Sequence, residues 1–289
     1  MKTGVVGAGL MGAEIALVFA LGGHDVLLHD RSEEALSAAL HRIRSILEKN
    51  VSQQVCEPDA AEVALARIEP VAALDAMSDC AMVTEAVFES VDAKAAVLRS
   101  LDAACPPSCI LASNTSTIPI STLASFLAPN RRPRFLGTHY FSPVSRMRLV
   151  ELIPGFETDA AVVDAAIHTL AGIGKQPVKI KDVAGFAVNR MLHALLIEAV
   201  KLVEEGVATP EDLDTACRLG LGHPIGPFAL MDKVTSSLCL QVQEILQDSY
   251  GERFRPPALL KQRVAAGYPG GRGKPGWLGA GGKSMAAEG

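Results

Sequence analysis

The stretch Thr3-Gly4-Val5-Val6-Gly7-Ala8-Gly9-Leu10-Met11-Gly12, carried on to Asp30, decides the fold of this chain. It begins as a short apolar run, breaks into three glycines spaced G-x-G-x-x-G, and resumes as a helical pattern. Ile15, Val18 and Phe19 recur on one helical face until Gly22-Gly23 stops it. A second apolar run, Val26-Leu27-Leu28, then closes on Asp30, about 20 residues past the glycines. That order of strand, glycine turn, helix, strand and acid is a dinucleotide-binding fingerprint. Gly7 is expected to allow the tight turn, Gly9 to let the backbone approach a pyrophosphate, and Gly12 to let helix and strand pack closely. The pyrophosphate would face the helix N-terminus. Asp30 would accept hydrogen bonds from the ribose hydroxyls and repel a 2′-phosphate, which points to NAD. The blander alternative is an α/β unit whose glycines serve only packing.

Length and composition bound the rest. The 289 residues suit two domains, and 49% hydrophobic residues supply ample core. No run reaches the roughly 18 apolar residues of a membrane span, so no membrane partner is expected. An apolar strand starting at the second residue leaves no room for a signal peptide, which predicts a cytoplasmic protein. A net charge of −5 argues against broad nucleic-acid binding, and 4% aromatics give no stacking platform. Cysteines 56, 80, 105, 109, 217 and 239 form no CxxC pair and have no His at metal spacing. They read as reduced, buried thiols, with no metal site.

Beyond Asp30, Ser32 is a candidate N-cap for a helix striped by Ala35, Leu36, Ala39, Leu40, Ile43, Ile46 and Leu47. Residues 51–67 are polar, with Pro58 opening a second helix, and the pair predicts a helical hairpin projecting from the sheet. Strands are expected at 80–86, 109–112, 134–138, 148–153 and 178–180, with helices at 91–104 and 160–170. From Gly185 the pattern changes to helices without strands. One covers 186–205, one starts at Thr209-Pro210, and one runs from the Pro224–Pro227 break through residue 247. A short one follows Pro256-Pro257, and the Gly-rich tail from Gly267 is expected to be loosely ordered. The fold class is therefore α/β. A Rossmann-type doubly wound sheet occupies residues 1–184, and an all-helical domain for substrate and dimerisation occupies 185–289.

Ligands of open α/β sheets sit at the carboxyl ends of the strands. Three polar groups fall there: Asn114 with Ser116, His139 with Ser142, and Glu151. A lone His at a strand end is more often structural than catalytic. Glu151 on the following strand shifts that balance, because a nicotinamide enzyme oxidising an alcohol needs a base for the hydroxyl proton. An imidazole takes and returns a proton near neutral pH, and a carboxylate behind it fixes the tautomer and stabilises the cation. Ser116 could hydrogen-bond the substrate oxygen. Asn189, at the start of the helical domain, could reach the substrate or could simply bond at a helix end. Glu89 and Lys94 could be an exposed i, i+5 pair.

At these residues the chain resembles the L-3-hydroxyacyl-CoA dehydrogenase family, its 3-hydroxybutyryl-CoA members especially. The resemblance spans essentially the whole chain. It rests on GAGLMG at 7–12, Glu85-Ala-Val-Phe-Glu89 with Lys94, Ser113-Asn-Thr-Ser116, His139-Tyr-Phe-Ser-Pro143, Leu149-Val-Glu151, Gly185-Phe-Ala-Val-Asn189-Arg190 and Gly222-His-Pro-Ile-Gly-Pro-Phe228. It implies NAD-linked oxidation of a short-chain 3-hydroxyacyl-CoA by a homodimer. It further implies His139 as base, Glu151 as its orienter, and Ser116 and Asn189 as substrate-positioning residues. Gly7, Ala8, Gly9, Leu10, Met11, Gly12, Asp30, Glu89, Lys94 and Ser116 would line the cofactor. Ser142 stands where the family usually carries Asn, at a cofactor or active-site contact. A related dehydrogenase of a sugar acid or other hydroxy acid, as among the lambda-crystallin-like relatives, is one alternative. A non-catalytic nucleotide-binding protein is another.

Overall fold

The computed structural model describes residues 1–278. Two compact units divide the chain, the first Met1–Val183 and the second beginning at Ala184. The first unit runs β1 (Lys2–Val6), α1 (Leu10–Leu21), β2 (Asp25–His29), α2 (Glu33–Ser52), α3 (Pro58–Ala66), β3 (Ile68–Val71) and β4 (Met82–Glu85). It continues through α4 (Val91–Ala104), β5 (Ile110–Ser113), α5 (Ile120–Ala124), β6 (Phe135–Tyr140), β7 (Leu149–Pro154), α6 (Ala160–Gly172) and β8 (Gln176–Lys179). Its strands form one sheet in the order β3-β2-β1-β4-β5-β6-β7-β8. The strands from β1 to β6 pair in parallel; β7 runs antiparallel to β6, and β8 parallel to β7. This is the Rossmann-type doubly wound sheet. The chain reverses direction across the sheet between β1 and β4, the place where such folds open a crevice at the strand ends.

Every residue of β4, β5 and β6 is buried, as expected of central strands covered on both faces. β3 lies outside the strands expected from the sequence. Its four residues include Pro70, which cannot donate to a ladder and is tolerated because β3 lies at the sheet edge. The helical hairpin does form, but it does not project. Leu36, Ala39, Ile43 and Leu47 of α2 and Ala61 and Ala64 of α3 join one core with Phe19 of α1 and Leu28 of β2. The apolar stripe of α2 is satisfied by that core, so the hairpin lies against it.

The second unit contains α7 (Val188–Glu204), α8 (Pro210–Gly220), α9 (Pro227–Val234), α10 (Ser236–Tyr250) and α11 (Ala258–Ala265). The single helix expected up to residue 247 is two, α9 and α10, because Thr235 takes φ +86° and breaks the ladder between them. Its Oγ1 then accepts the Leu238 amide at 3.2 Å, capping α10. The Gly-Pro-Phe step at 226–228 has a packing cause. Both oxygens of Asp214 on α8 accept first-turn amides of α9, from Phe228 at 2.7 Å and Ala229 at 2.9 Å. A Cβ on Gly226 would sit 2.2 Å from the Asp214 carboxyl carbon.

The tail over 267–278 is not loose. Asp232 accepts the amides of Trp277 and Leu278 at 2.8 and 3.0 Å, and Trp277 Nε1 donates to Ser236 Oγ at 2.9 Å. The Trp277 ring is buried against Phe228 at 5.0 Å. Residues 279–289 of the expected loose tail lie outside the described residues. No helix among the described residues is long and apolar enough to cross a membrane, and no cluster there could hold a metal ion.

One buried group makes stability depend on pH. His193 of α7 is 4% exposed, and its Nδ1 has no hydrogen-bond partner among the described residues. Burial lowers its pKa from 6.5 to about 4. Between those values the unfolded chain binds a proton that the folded chain refuses, so folding loses free energy as the pH falls. The contribution is whole above pH 6.5 and disappears toward about 4, with an upper size of roughly 3 kcal/mol. Urea midpoints measured across this window should fall with pH, and His193→Leu should flatten that slope. An unchanged slope in the variant would assign the pH dependence to other groups.

Candidate active site

The glycine turn is built as its spacing requires. Gly7 has φ +103°, a left-handed conformation that favours glycine, and a Cβ there would meet the Ala86 carbonyl at 2.7 Å. A Cβ on Gly12 would lie 1.7 Å from the Gly7 oxygen, so helix and turn close on each other only with glycine. A Cβ on Gly9 would meet nothing within 4 Å, so the turn opens outward there. Gly9 is the N-cap of α1 with no side-chain cap and no acid in the first turn. The positive end of the helix dipole and its first-turn amides are therefore left for an anionic group. Asp30 has a job inside the protein as well. Its Oδ2 accepts the Ala8 amide at 2.8 Å and its Oδ1 the Ser32 amide at 3.1 Å, tying the turn to the end of β2. These residues fit an NAD diphosphate and ribose.

His139, Glu151 and Ser116 come together at the far ends of β5 and β6. His139 and Glu151 are direct partners in the antiparallel β6–β7 ladder, and directly opposed residues point to the same face. His139 Nδ1 is 2.8 Å from Glu151 Oε2, and His139 Nε2 is 3.1 Å from Ser116 Oγ. Both partners are deeply buried, His139 at 5% and Glu151 at 1% exposure. The edge of Phe141 lies on the imidazole at 4.6 Å. Asn114, which precedes Ser116, accepts the Tyr140 amide through Oδ1 at 3.0 Å and links the ends of the two parallel strands.

Glu89 and Lys94 are not an exposed surface pair. The Lys94 ammonium is buried, 2.8 Å from Glu85 Oε1 and 3.4 Å from Glu89 Oε2. Glu85 closes β4, is fully buried, and also accepts the Val87 amide at 2.7 Å and the Ser113 hydroxyl. A single oxygen of Glu89 accepts from Thr115 Oγ1, the Ser116 amide, the Thr117 amide and Thr117 Oγ1, between 2.6 and 2.9 Å. Burial opposes ionisation of Glu89, but Lys94 and the bonds from Thr115, Thr117 and Ser116 outweigh it and hold its carboxyl below the usual range. Glu85, Ser113, Thr115 and Thr117 thus join the Glu89–Lys94 network beside Ser116, a set of contacts not expected from the sequence. The available signals are a Glu ending a buried strand ahead of Glu89, Asp92 and Lys94, and the polar run 113–117 after the next strand.

The segment after β6 is fixed from two sides. Lys175 Nζ donates to the Val144 carbonyl and, at 2.9 Å, to the Met147 carbonyl, and buried Glu14 of α1 accepts the Ser145 amide at 3.2 Å. Ser142 lies exposed at the start of this segment. Asn189 belongs to the second unit, half-buried on the first turn of α7.

Two family models match the chain. "3-Hydroxyacyl-CoA dehydrogenase, NAD binding domain" covers residues 2–183, and "3-hydroxyacyl-CoA dehydrogenase, C-terminal domain" covers 185–279. A probable 3-hydroxybutyryl-CoA dehydrogenase of Deinococcus radiodurans is 39% identical over 274 residues, 93% of this chain and 96% of that protein. A 3-hydroxybutyryl-CoA dehydrogenase of Bradyrhizobium diazoefficiens is 39% identical over 93% of this chain and 92% of its own length. Among solved structures, (S)-3-hydroxybutyryl-CoA dehydrogenase from Ralstonia eutropha superposes with a TM-score of 0.90 at 36% identity, covering 95% of this chain and 97% of that one.

Proposed function

This chain belongs to the 3-hydroxyacyl-CoA dehydrogenase family and is an NAD-dependent oxidoreductase, and from that premise we propose that His139 serves as its catalytic base. The substrates are an L-3-hydroxyacyl-CoA, of short chain such as 3-hydroxybutyryl-CoA, and the corresponding 3-ketoacyl-CoA. The observation that carries the reading is His139 held between Glu151 at 2.8 Å and Ser116 at 3.1 Å, at the strand ends of a sheet with a built dinucleotide turn.

NAD, when bound, supplies the hydride acceptor, and in its reduced form the donor for the reverse reaction. The chain's own groups handle the proton. Glu151 accepts Nδ1–H, which leaves Nε2 of His139 as the acceptor. The substrate hydroxyl binds where Nε2 and Ser116 Oγ converge, and Ser116 hydrogen-bonds its oxygen. As the alcohol is oxidised, Nε2 takes the hydroxyl proton, and Glu151 stabilises the imidazolium. In reduction the same proton returns to the oxygen. Burial of both His139 and Glu151, with Phe141 against the ring, keeps water from that transfer. Asn189 is a further substrate-positioning residue in this proposal. Gly7–Gly12, Asp30, Glu89, Lys94, Ser116 and Ser142 serve the cofactor.

The test is spectrophotometric: NADH consumption with acetoacetyl-CoA, repeated with NADPH. Turnover with NADH at a clear margin over NADPH is expected, because a 2′-phosphate would meet Asp30. Losing a hydrogen bond to a charged group costs about 1.5–3 kcal/mol, so Asp30→Ala should narrow the preference roughly 10- to 100-fold. The variant should also turn over more slowly with either cofactor, since Asp30 holds the Ala8 amide. Equal use of NADPH would overturn the assignment of Asp30. NADH binding without reduction of acetoacetyl-CoA would favour another hydroxy acid as substrate.

The protein is further proposed to act in the cytoplasm as a homodimer. Met191, Val207, Leu219 and Leu221 leave apolar surface exposed on the second unit, which a second copy would cover. Light scattering at micromolar concentration should give twice the chain mass, and a monomer would refute it.

A further inference from the structure

Far from the strand ends that carry Ser116 and His139, the chain leaves α4 and turns through Cys105-Pro106-Pro107-Ser108-Cys109 into β5. The Cys109 amide donates to the Pro106 carbonyl at 2.9 Å and its thiol to the Ile110 carbonyl at 3.6 Å, and the neighbouring thiols of Cys105 and Cys109 shift each other's pKa in opposite directions. Arg131, 4% exposed, pins this turn from outside it. Its Nη2 donates to the Cys105 carbonyl at 2.9 Å and the Asp102 carbonyl at 3.3 Å. Its Nη1 donates to the Pro106 carbonyl at 2.8 Å and the Cys109 carbonyl at 3.3 Å. Its Nε pairs with Asp102 Oδ1 at 2.9 Å. One rigid guanidinium therefore holds the carbonyls of both cysteines and fixes the turn that joins them.

The two thiols differ in access. Cys105, 5% exposed, lines a cleft of about 470 Å³ with Arg99, Asp102, Asn130 and Arg131, whereas Cys109 is fully buried. Cys105 stands at a helix C-terminus, where the dipole alone would oppose a thiolate. Arg131 caps those same carbonyls and places its positive charge there instead. The neighbouring Cys109 thiol lowers the pKa of Cys105; burial opposes this and Arg131 assists it, so the thiol lies below its usual range. The paired Cys105 and burial push Cys109 up.

We propose that Cys105 and Cys109 form a two-thiol redox site, with Cys105 oxidised first by a small hydroperoxide and Cys109 as the resolving thiol. The Cys105 thiolate attacks the peroxide O–O bond; one oxygen stays on sulfur as a sulfenic acid and the other leaves as hydroxide. The Cys109 sulfur then displaces the sulfenic hydroxyl, which departs with the Cys109 proton as water, and the S–S bond forms. The two sulfurs together lose two electrons, which reduce the peroxide. The site lies apart from the groups that serve His139 and does not depend on their assignment.

The half-buried Cys56 and Cys217 are internal controls, because exposure alone would make them react first. The full chain is reduced, freed of reductant and treated with limiting hydrogen peroxide, and cleaved peptides are then weighed. The peptide spanning residues 100–131 should lose two hydrogens at least about tenfold faster than Cys56 or Cys217 is oxidised, and dithiothreitol should restore them. Cys109→Ser should stop at a sulfenic acid on Cys105 that dimedone traps, and Cys105→Ser should abolish both products while keeping NADH turnover. Thermal melts establish that each variant is folded. Oxidation of Cys56 or Cys217 ahead of the pair, or a folded Cys109→Ser chain without a dimedone adduct at Cys105, would overturn the proposal.

Discussion

Replacing His139 with Gln is expected to lower kcat for acetoacetyl-CoA reduction by about 10²–10⁴-fold, the usual worth of a positioned acid–base group. Gln keeps a polar side chain of similar reach and can still hydrogen-bond toward Glu151 and Ser116. It cannot take or return a proton, so the loss should fall on kcat and leave NADH binding nearly unchanged. The Cα-opposed register with Glu151 leads to a companion result. Glu151→Gln retains the contact but removes the charge facing the imidazolium, so kcat should fall again, by less than for His139→Gln. NADH fluorescence and circular dichroism separate these effects from loss of binding or of folding. A folded His139→Gln enzyme with undiminished kcat would remove this mechanism, whatever the family of the chain.

Much of the first unit is legible because its signals are local. The glycines at 7, 9 and 12 sit between two apolar runs, and each constraint they carry acts within one turn of backbone. The placement of Ser116, His139 and Glu151 near strand ends follows from short buried runs that empty into polar residues. Their meeting does not follow, because it depends on β7 running antiparallel to β6 in a register that puts 139 opposite 151. Long-range partners defeat local reading most completely at Lys94. Nearness in sequence offers it Glu89 as a surface companion, whereas Glu85 lies across a turn and inside the sheet. β3 escapes notice because Pro70 argues against a strand unless the edge position is known. The break at Thr235 carries no glycine to announce it. The tail reads as loose because its anchors, Asp232 and Ser236, are some forty residues earlier in the chain, on α9 and α10.

The Lys94 network has the largest expected effect on stability. Met fills nearly the volume of Lys and is itself comfortable in a core, so Lys94→Met tests charge with little change in packing. What it leaves behind is Glu85, fully buried, with its ammonium partner gone. Removing one member of a buried ion pair costs about 3–5 kcal/mol, because the remaining charge has neither water nor a counter-ion. For a unit of this size that corresponds to a fall in melting temperature of roughly 6–20 °C. The damage should also reach the site. Glu89 loses the same ammonium, and Glu89 holds the backbone of Thr115, Ser116 and Thr117 through one oxygen. Ser116 faces His139, so kcat should drop together with stability. A second substitution separates charge from shape. Glu85→Gln in the Lys94→Met background removes the stranded charge; the amide oxygen can still accept the Val87 amide, and the NH2 that replaces Oε2 can donate to the Ser113 hydroxyl oxygen. The double variant should therefore melt above the single Lys94→Met variant, a coupling of opposite sign to simple addition. If Lys94→Met melts with the unmodified protein, the buried pair is not holding the end of β4, and Glu89 must organise the 115–117 turn without it.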